Sequence, residues 1–428
     1  MTTSNHKPDS VQREPSCMDD FDPASMEAGQ ALQQILNQVD SITRTEKVPI
    51  REALYRTLAE NVFSAINVPG HTNSAMDGYA IHSTDIPQQS QATLKSIGTA
   101  WAGRPYKGTV STGECVRIMT GAAMPDGTDT VVMQEHVEIV GNEIQVDYTN
   151  QGGQNVRQAG EDIPVGGKVL SKGKLLTPAD LGLLASVGKN EISVVKKLRV
   201  AFFSTGDELR PVGSQLEIGQ IYDSNRYTLY GMLTRLGVEI IDLGVIKDKR
   251  EAVEQAFHTA SDEADVIITS GGVSVGDADF VKETLDKIGE VNFWKVAMKP
   301  GRPLAFGKIK NALFFGLPGN PVSVMVTFYM FVQPALKKLS GSEYQSPLMI
   351  NARCQTKLIK RLGRVEYQRG ILTKSEDPAQ YEVVKTGAQG SGILRSMSDA
   401  NCFIILPMES EGVDEGNTVQ VLPFEAII

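Results

Sequence analysis

Between Leu198 and Ile288 the chain alternates short apolar runs with longer stretches whose apolar positions recur at helical spacing. Residues 198–204 read as a strand, 224–236 as a helix closed by Gly237, and 238–243 as a second strand. A helix over 249–263 and a strand over 265–269 follow, then another helix through Phe280, Val281, Leu285 and Ile288. Few folds accept that rhythm. Repeated strand–helix–strand units imply a parallel sheet with right-handed crossovers. Such sheets take ligands beyond the carboxyl ends of their strands. The loops expected there are Thr205-Gly-Asp-Glu208, Asp248, and the glycine run from Gly271 to Gly276 with Asp277 and Asp279 behind it.

The flanking sequence has a different texture. Residues 66–166 break into short β-rich runs such as 113–119, 129–133 and 137–140, punctuated by glycine. From 347 to 428 alternating strands return, as one β-barrel or sandwich. The expected division is a tail over 1–25, N-terminal helices and linker over 26–65, and a β-rich domain over 66–166. A linker return over 167–197, a central α/β domain over 198–346 and a C-terminal β domain over 347–428 complete it. The polar first 22 residues lack an apolar signal-peptide core, which points to a disordered tail and a cytoplasmic protein. Val322–Val332 is the most apolar stretch, about half of a membrane span, and reads as a buried helix.

Several functions are disfavoured by what the chain lacks. A net charge of −9 opposes a surface built for nucleic acid. The four cysteines include no CxxC and the five histidines no HExxH, so neither a thiolate nor a histidine zinc centre is expected. Gly271 and Gly276 have P-loop spacing, but Asp277 stands where that motif needs lysine.

What remains is charge of both signs. Glycine amides, Lys295, Lys299 and Arg302 offer donors to an oxyanion, while Glu208, Asp248, Asp277 and Asp279 offer oxygen ligands to a hard cation. Lys295 and Lys299 share one face if their segment is a continuous strand. Together these residues fit a Mg²⁺-dependent site for a phosphorylated ligand, with catalysis by positioning and electrostatics. Structural duties account for the same residues one at a time. Asp277 or Asp279 can cap a helix, the lysines can guard an edge strand, Asn320 and Pro321 can start a helix, and Asp77-Gly78 can be a hairpin turn.

The ordered runs MDGYA, RIMTGA, GEDI, STGDEL, YDSN, SGGVSVGDAD, MKPGRPLAFG and LPGNPVS resemble the MoeA family of molybdopterin molybdenumtransferases, which is similar to the C-terminal domain of gephyrin. The resemblance runs from about residue 26 onward. It implies a four-domain homodimer whose central domain is molybdopterin-binding and adenylyltransferase-like, with each cleft completed by the partner's β-rich domain. The implied reaction takes adenylylated molybdopterin and molybdate, uses Mg²⁺, and releases AMP. Family positions match here as Asp77, Thr120, Glu208, Asp248, Asp279, Lys295 and Lys299 for catalysis, with Glu208, Asp248 and Asp279 around the metal. Ligand contacts match as Arg157, Asp162, Asn225, Gly271, Gly272, Ser274, Gly276, Arg302, Pro318, Pro321 and Ser391. Asp277 replaces the glutamate frequent in relatives. A molybdopterin adenylyltransferase and recipient molybdoenzymes are the implied partners, with no membrane or nucleic acid. Two rival readings are an adenylyltransferase acting on ATP and a gephyrin-like scaffold.

Overall fold

The computed structural model describes residues 25–271, 280–377 and 380–427. It divides into two compact units, one made of the chain up to Arg44 together with 195–428, the other of Thr45–Val194.

The first unit is organised by strands buried on both faces. β1 (Arg199–Thr205), β2 (Glu239–Ile246), β3 (Val266–Ser270), β4 (Gly289–Lys295), β5 (Pro303–Ile309) and β6 (Ala312–Leu317) form one sheet in the order β2-β1-β3-β6-β5-β4. β2, β1, β3 and β6 are parallel; β5 is antiparallel to β6 and to β4. Side chains alternate across the sheet. Phe202, Ile268 and Phe315 enter one core, and their neighbours Phe203, Ile267 and Phe314 enter the other. The first core is roofed by α1 (Ala28–Asn37), α2 (Ser224–Arg235) and the helical run 321–339, the second by α3 (Arg250–Glu263) and α4 (Phe280–Ile288). The expected α/β alternation and the buried helix after Pro321 are both present, the latter carrying a π-helical turn at Phe328–Val332. Among the described residues no helix is long and apolar enough to cross a membrane.

The C-terminal strands close on themselves. Val365–Lys374, Tyr381–Lys385, Ile350–Cys354, Thr418–Pro423 and Cys402–Leu406 pair in that order, and the last pairs back with the first. Of the two forms expected, barrel or sandwich, the chain adopts the barrel. Its core residues Tyr367, Phe403 and Leu422 run into the first core of the α/β sheet.

One expectation fails here. Lys295 and Lys299 do not lie on a continuous strand. β4 ends at Lys295, and Met298–Lys299 leaves the α/β sheet to pair with Val365 and Glu366 of the barrel. Val296 and Ala297 make the transfer, with Val296 N–H bonded to Arg302 O (2.7 Å) and Ala297 O to Val365 N–H (3.0 Å). Side-chain alternation holds within one strand, and the change of sheet at Val296-Ala297 breaks it.

In the second unit, six strands form a sheet in the order Thr130–Met133, Gly78–Ile81, Glu114–Ile118, Gln91–Ala100, Glu143–Asp147 and Glu138–Val140. A separate small core joins Val48, Leu58 and Val62 to Leu170, Leu184 and Ile192.

Candidate active site

Strand direction decides which loops meet. β4 is antiparallel to β5, which is antiparallel to β6, so the carboxyl ends of β1, β2, β3, β4 and β6 share one edge of the sheet. The loops with Glu208, Asp248, Gly271, Pro318 and the 296–302 segment therefore emerge together. Their order is informative. The acids follow β1 and β2 at one flank and Lys295 ends β4 at the other, with Gly271 and Pro318-Gly319 between them. β1 and β4 stand four places apart, about 19 Å at the usual interstrand spacing. A single magnesium phosphate is only a few ångströms across. Among the described residues, the two signs of charge therefore stand at opposite flanks of the edge, farther apart than one ion pair.

At the acidic flank, Asp248 is half-buried between Asp207 and Glu208 in its electrostatic surroundings. Burial raises its carboxyl above the ordinary value, and the charges of Asp207 and Glu208 raise it further. No helix follows Glu208. Leu209–Arg210 instead pairs with Ile221–Tyr222, and Glu208 O accepts from Ile221 N–H (2.9 Å). Its carboxylate is left on an exposed residue for other work. Among the described residues, no three acids, histidines or cysteines stand close enough to hold a metal ion by themselves. Gly272, Ser274, Gly276, Asp277 and Asp279, all named from the sequence, lie outside the described residues.

Among the described residues, the centre of the edge is neutral and tightly built. Gly271 has φ +88°, and a Cβ there would stand 2.8 Å from Thr205 O, so only glycine lets β3 leave the sheet this way. Buried Asn225 donates through Nδ2 to Ser270 Oγ (2.8 Å) and to Gly319 O (2.7 Å), tying the start of α2 to the loops after β3 and β6. Asp223 caps that helix by accepting from Arg226 N–H at 3.1 Å. Asn225 Oδ1, Ser204 Oγ, Thr205 Oγ1 and Thr269 Oγ1 are buried without hydrogen-bond partners among the described residues. Unsatisfied buried polar atoms are rare, and four beside one glycine turn describe a polar floor. Pro318 is buried, and Pro321 begins the next helix at N1. Asn320 holds the N-cap position expected of it, but its side chain makes no capping bond.

At the basic flank, Lys299 is exposed and lies 3.3 Å from the Glu366 carboxylate, while Arg302 is buried with Nη2 3.4 Å from Ser25 Oγ. Ser391, in the barrel, is brought alongside. Its carbonyl accepts from Val322 N–H (3.0 Å) in the first turn after Pro321.

The second unit holds the remaining candidates. Asp77 Oδ1 accepts from Thr120 N–H (2.7 Å) and Thr120 Oγ1 (2.8 Å). Those two bonds hold its carboxyl below the ordinary range, with help from Arg117. Arg157 lies on the short strand paired with Asn73-Ser74, and Asp162 donates its N–H to Val68 O; both side chains are exposed.

Residues 26–188 match the MoeA N-terminal region (domain I and II), residues 201–338 a probable molybdopterin binding domain, and residues 351–424 the MoeA C-terminal region (domain IV). The chain is 46% identical to the molybdopterin molybdenumtransferase of Haemophilus influenzae, over 93% of this chain and 98% of that one. The chain belongs to the MoeA family. Gephyrin of Dictyostelium discoideum is 36% identical over 92% of this MoeA chain and 61% of its own length. The crystal structure of the molybdopterin biosynthesis moeA protein from Pyrococcus horikoshii aligns at a TM-score of 0.81 and 30% identity, over 93% of this chain and 100% of that one.

Sequence reading passed over one group in this MoeA chain. Glu366, Gln368 and Arg369 are all buried in a single barrel strand. Arg369 donates to Ser396 Oγ and to Gly390 O, both at 3.0 Å, and so fixes the loop that carries Ser391. Burial pulls its guanidinium down to about 10, with Glu366 opposing the shift. The available signal was the run Val365-Glu-Tyr-Gln-Arg-Gly-Ile-Leu372, in which charged residues interrupt an otherwise apolar strand.

Proposed function

We propose that this chain acts in molybdenum cofactor biosynthesis as a molybdopterin molybdenumtransferase. In this reading it inserts the metal of molybdate into adenylylated molybdopterin and releases AMP. The observation that carries it is the segregation of charge along one sheet edge. Among the described residues, acids stand at one flank, cations at the other, and a glycine turn with unsatisfied hydroxyls lies between. An elongated guest with a phosphoanhydride at one end and an oxyanion at the other matches that order.

Lys299, Arg302 and Lys295 would hold molybdate oxygens, Arg302 being the least mobile because it is buried. Asn225 Oδ1 would accept from an N–H or O–H of the ligand, an interaction its buried position makes specific. Glu208 and Asp248 would hold Mg²⁺, in part through its waters, and Asp279 is assigned to the same ion by resemblance. The charges of Asp207 and Glu208, which add to burial in raising Asp248, fit a hard dication there. Mg²⁺ bound at that flank would neutralise charge on the phosphoanhydride as the nucleotide leaves. The acting unit in this reading is a homodimer in which a second copy of the chain supplies the Asp77–Thr120 pair.

The test is to incubate purified protein with adenylylated molybdopterin, molybdate and Mg²⁺ and to follow the nucleotide. AMP release that requires both molybdate and the divalent ion is expected. Pyrophosphate release from ATP, or no nucleotide chemistry at all, would overturn the proposal.

A further inference from the structure

Glu366 is 5% exposed and has no assigned part in the site. It belongs to the barrel, yet it meets a cation from the α/β domain. Met298–Lys299 adds to the barrel as a short parallel strand in which Lys299 is the register partner of Glu366. Register partners in a sheet project to the same side. The Lys299 ammonium accordingly lies 3.3 Å from Glu366 Oε1, with half of the lysine side chain still exposed and the carboxylate 7% exposed. The same oxygen accepts from Gln368 Nε2 at 3.1 Å, so the carboxylate is itself held in place.

Two further cations feel the charge of this carboxylate. Lys360 is buried and gives its ammonium to three carbonyls, Arg361 O at 3.0 Å, Met408 O at 3.2 Å and Ser410 O at 2.7 Å. Arg369 is buried on the same strand as Glu366 and is committed to Ser396 and Gly390. Of Lys299, Lys360 and Arg369, only Lys299 is exposed. Buried Glu366 fixes the one flexible member. A lysine has four rotatable stem bonds and loses much conformational freedom when it engages an anion, so a fixed second partner removes part of that cost beforehand.

We propose that Glu366 is a positioning residue for oxyanion binding. It anchors Lys299 across the junction of barrel and α/β domain, so that the ammonium is already placed when the oxyanion arrives. The inference rests on the reading above that Lys299 meets the oxyanion.

The experiment is a double-mutant cycle on the full chain, with AMP release measured against molybdate concentration. Glu366→Gln keeps the shape and one acceptor oxygen but removes the charge. Glu366→Ala removes both, and a thermal melt of each variant controls for folding. For Glu366→Gln, KM for molybdate is expected to rise roughly threefold to tenfold while kcat stays within about twofold. The Lys299→Ala background should be insensitive, with the Lys299→Ala, Glu366→Gln double variant matching Lys299→Ala within about twofold. Additive losses, or a fall in kcat with KM unchanged, would overturn the proposal by showing that Glu366 does not act through Lys299. A lower KM in Glu366→Gln would also overturn it, because the carboxylate would then be competing with the oxyanion. If Lys299→Ala itself leaves the molybdate KM unchanged, the functional reading of Lys299 fails instead, and the two failures are told apart.

Discussion

Asp77 Oδ1 receives both the backbone N–H and the hydroxyl of Thr120, at 2.7 and 2.8 Å. The two residues lie on separate turns of one sheet, after Ser74 and after Ile118, and the paired strands Gly78–Ile81 and Glu114–Ile118 bring those turns side by side. Donors aimed at one carboxylate oxygen stabilise the charged form, which is why the Asp77 carboxyl is held low. Thr120→Val deletes the hydroxyl and keeps the N–H. The Asp77 titration should move up toward the ordinary value of 3.8 without reaching it. Because the folded value is depressed, the linked stabilisation is present above the ordinary value and is lost as pH falls through the depressed one. Carboxyl-carbon NMR titration of the variant against wild type checks this, and an unchanged Asp77 curve would show that the hydroxyl contributes nothing.

Asp248 is perturbed in the opposite direction. Burial and the charges of Asp207 and Glu208 raise its carboxyl above 3.8. The stabilisation linked to a raised value is complete below the unfolded value and is lost as pH rises through the folded one. At neutral pH and without a cation, ionised Asp248 therefore opposes folding. In metal-free buffer at pH 7, Asp248→Asn should raise Tm by about 1 °C, a small effect because the group is only partly shielded from solvent. The variant should lose the additional Tm increase that Mg²⁺ gives wild type. Wild-type Mg²⁺ binding should weaken on acidification at a pH above that of an ordinary carboxylate. Melts with and without Mg²⁺ across pH 4–8 measure both effects.

The contrast between these acids shows what the sequence could and could not disclose. Phe202-Phe203 and Ile267-Ile268 announce strands buried on both sides, and the glycine after β3 announces a turn, because each is a local pattern with a local cause. Strand order is not local. Glu208 and Lys295 were read as parts of one mixed cluster, since nothing in the spacing of β1 and β4 says that three strands intervene. The pairing of Lys299 with Glu366 was hidden for the same reason. It depends on a change of sheet at Val296-Ala297, where the apolar pattern continues without a break.

A composite site has a kinetic signature. If Asp77 serves the cleft of a second copy, Asp77→Asn and Glu208→Gln each inactivate a homodimer, yet a mixed dimer keeps one cleft with both residues intact. Random exchange gives half mixed dimers, each with one competent cleft of two, or about a quarter of wild-type AMP release. Two inactive preparations that stay inactive after verified subunit exchange would mean that Asp77 and Glu208 act from the same chain.

Asn225 offers a test at the centre of the edge. Its Nδ2 donates to both Ser270 Oγ and Gly319 O, and no other side-chain donor among the described residues reaches that carbonyl. Asn225→Ala leaves the carbonyl without its donor, at a cost of about 1–3 kcal/mol. Asn225→Asp is the more conservative change in shape and should be the worse one at pH 7. It sets a carboxylate oxygen against the Gly319 carbonyl, 2.7 Å away in the wild type, and buries a charge. Acid should reverse the ranking, because a protonated aspartate can again donate to Gly319 O. Melting temperatures of both variants between pH 4 and 8 are expected to cross. Parallel curves would show that the Nδ2 bonds do not hold α2 to the ligand edge.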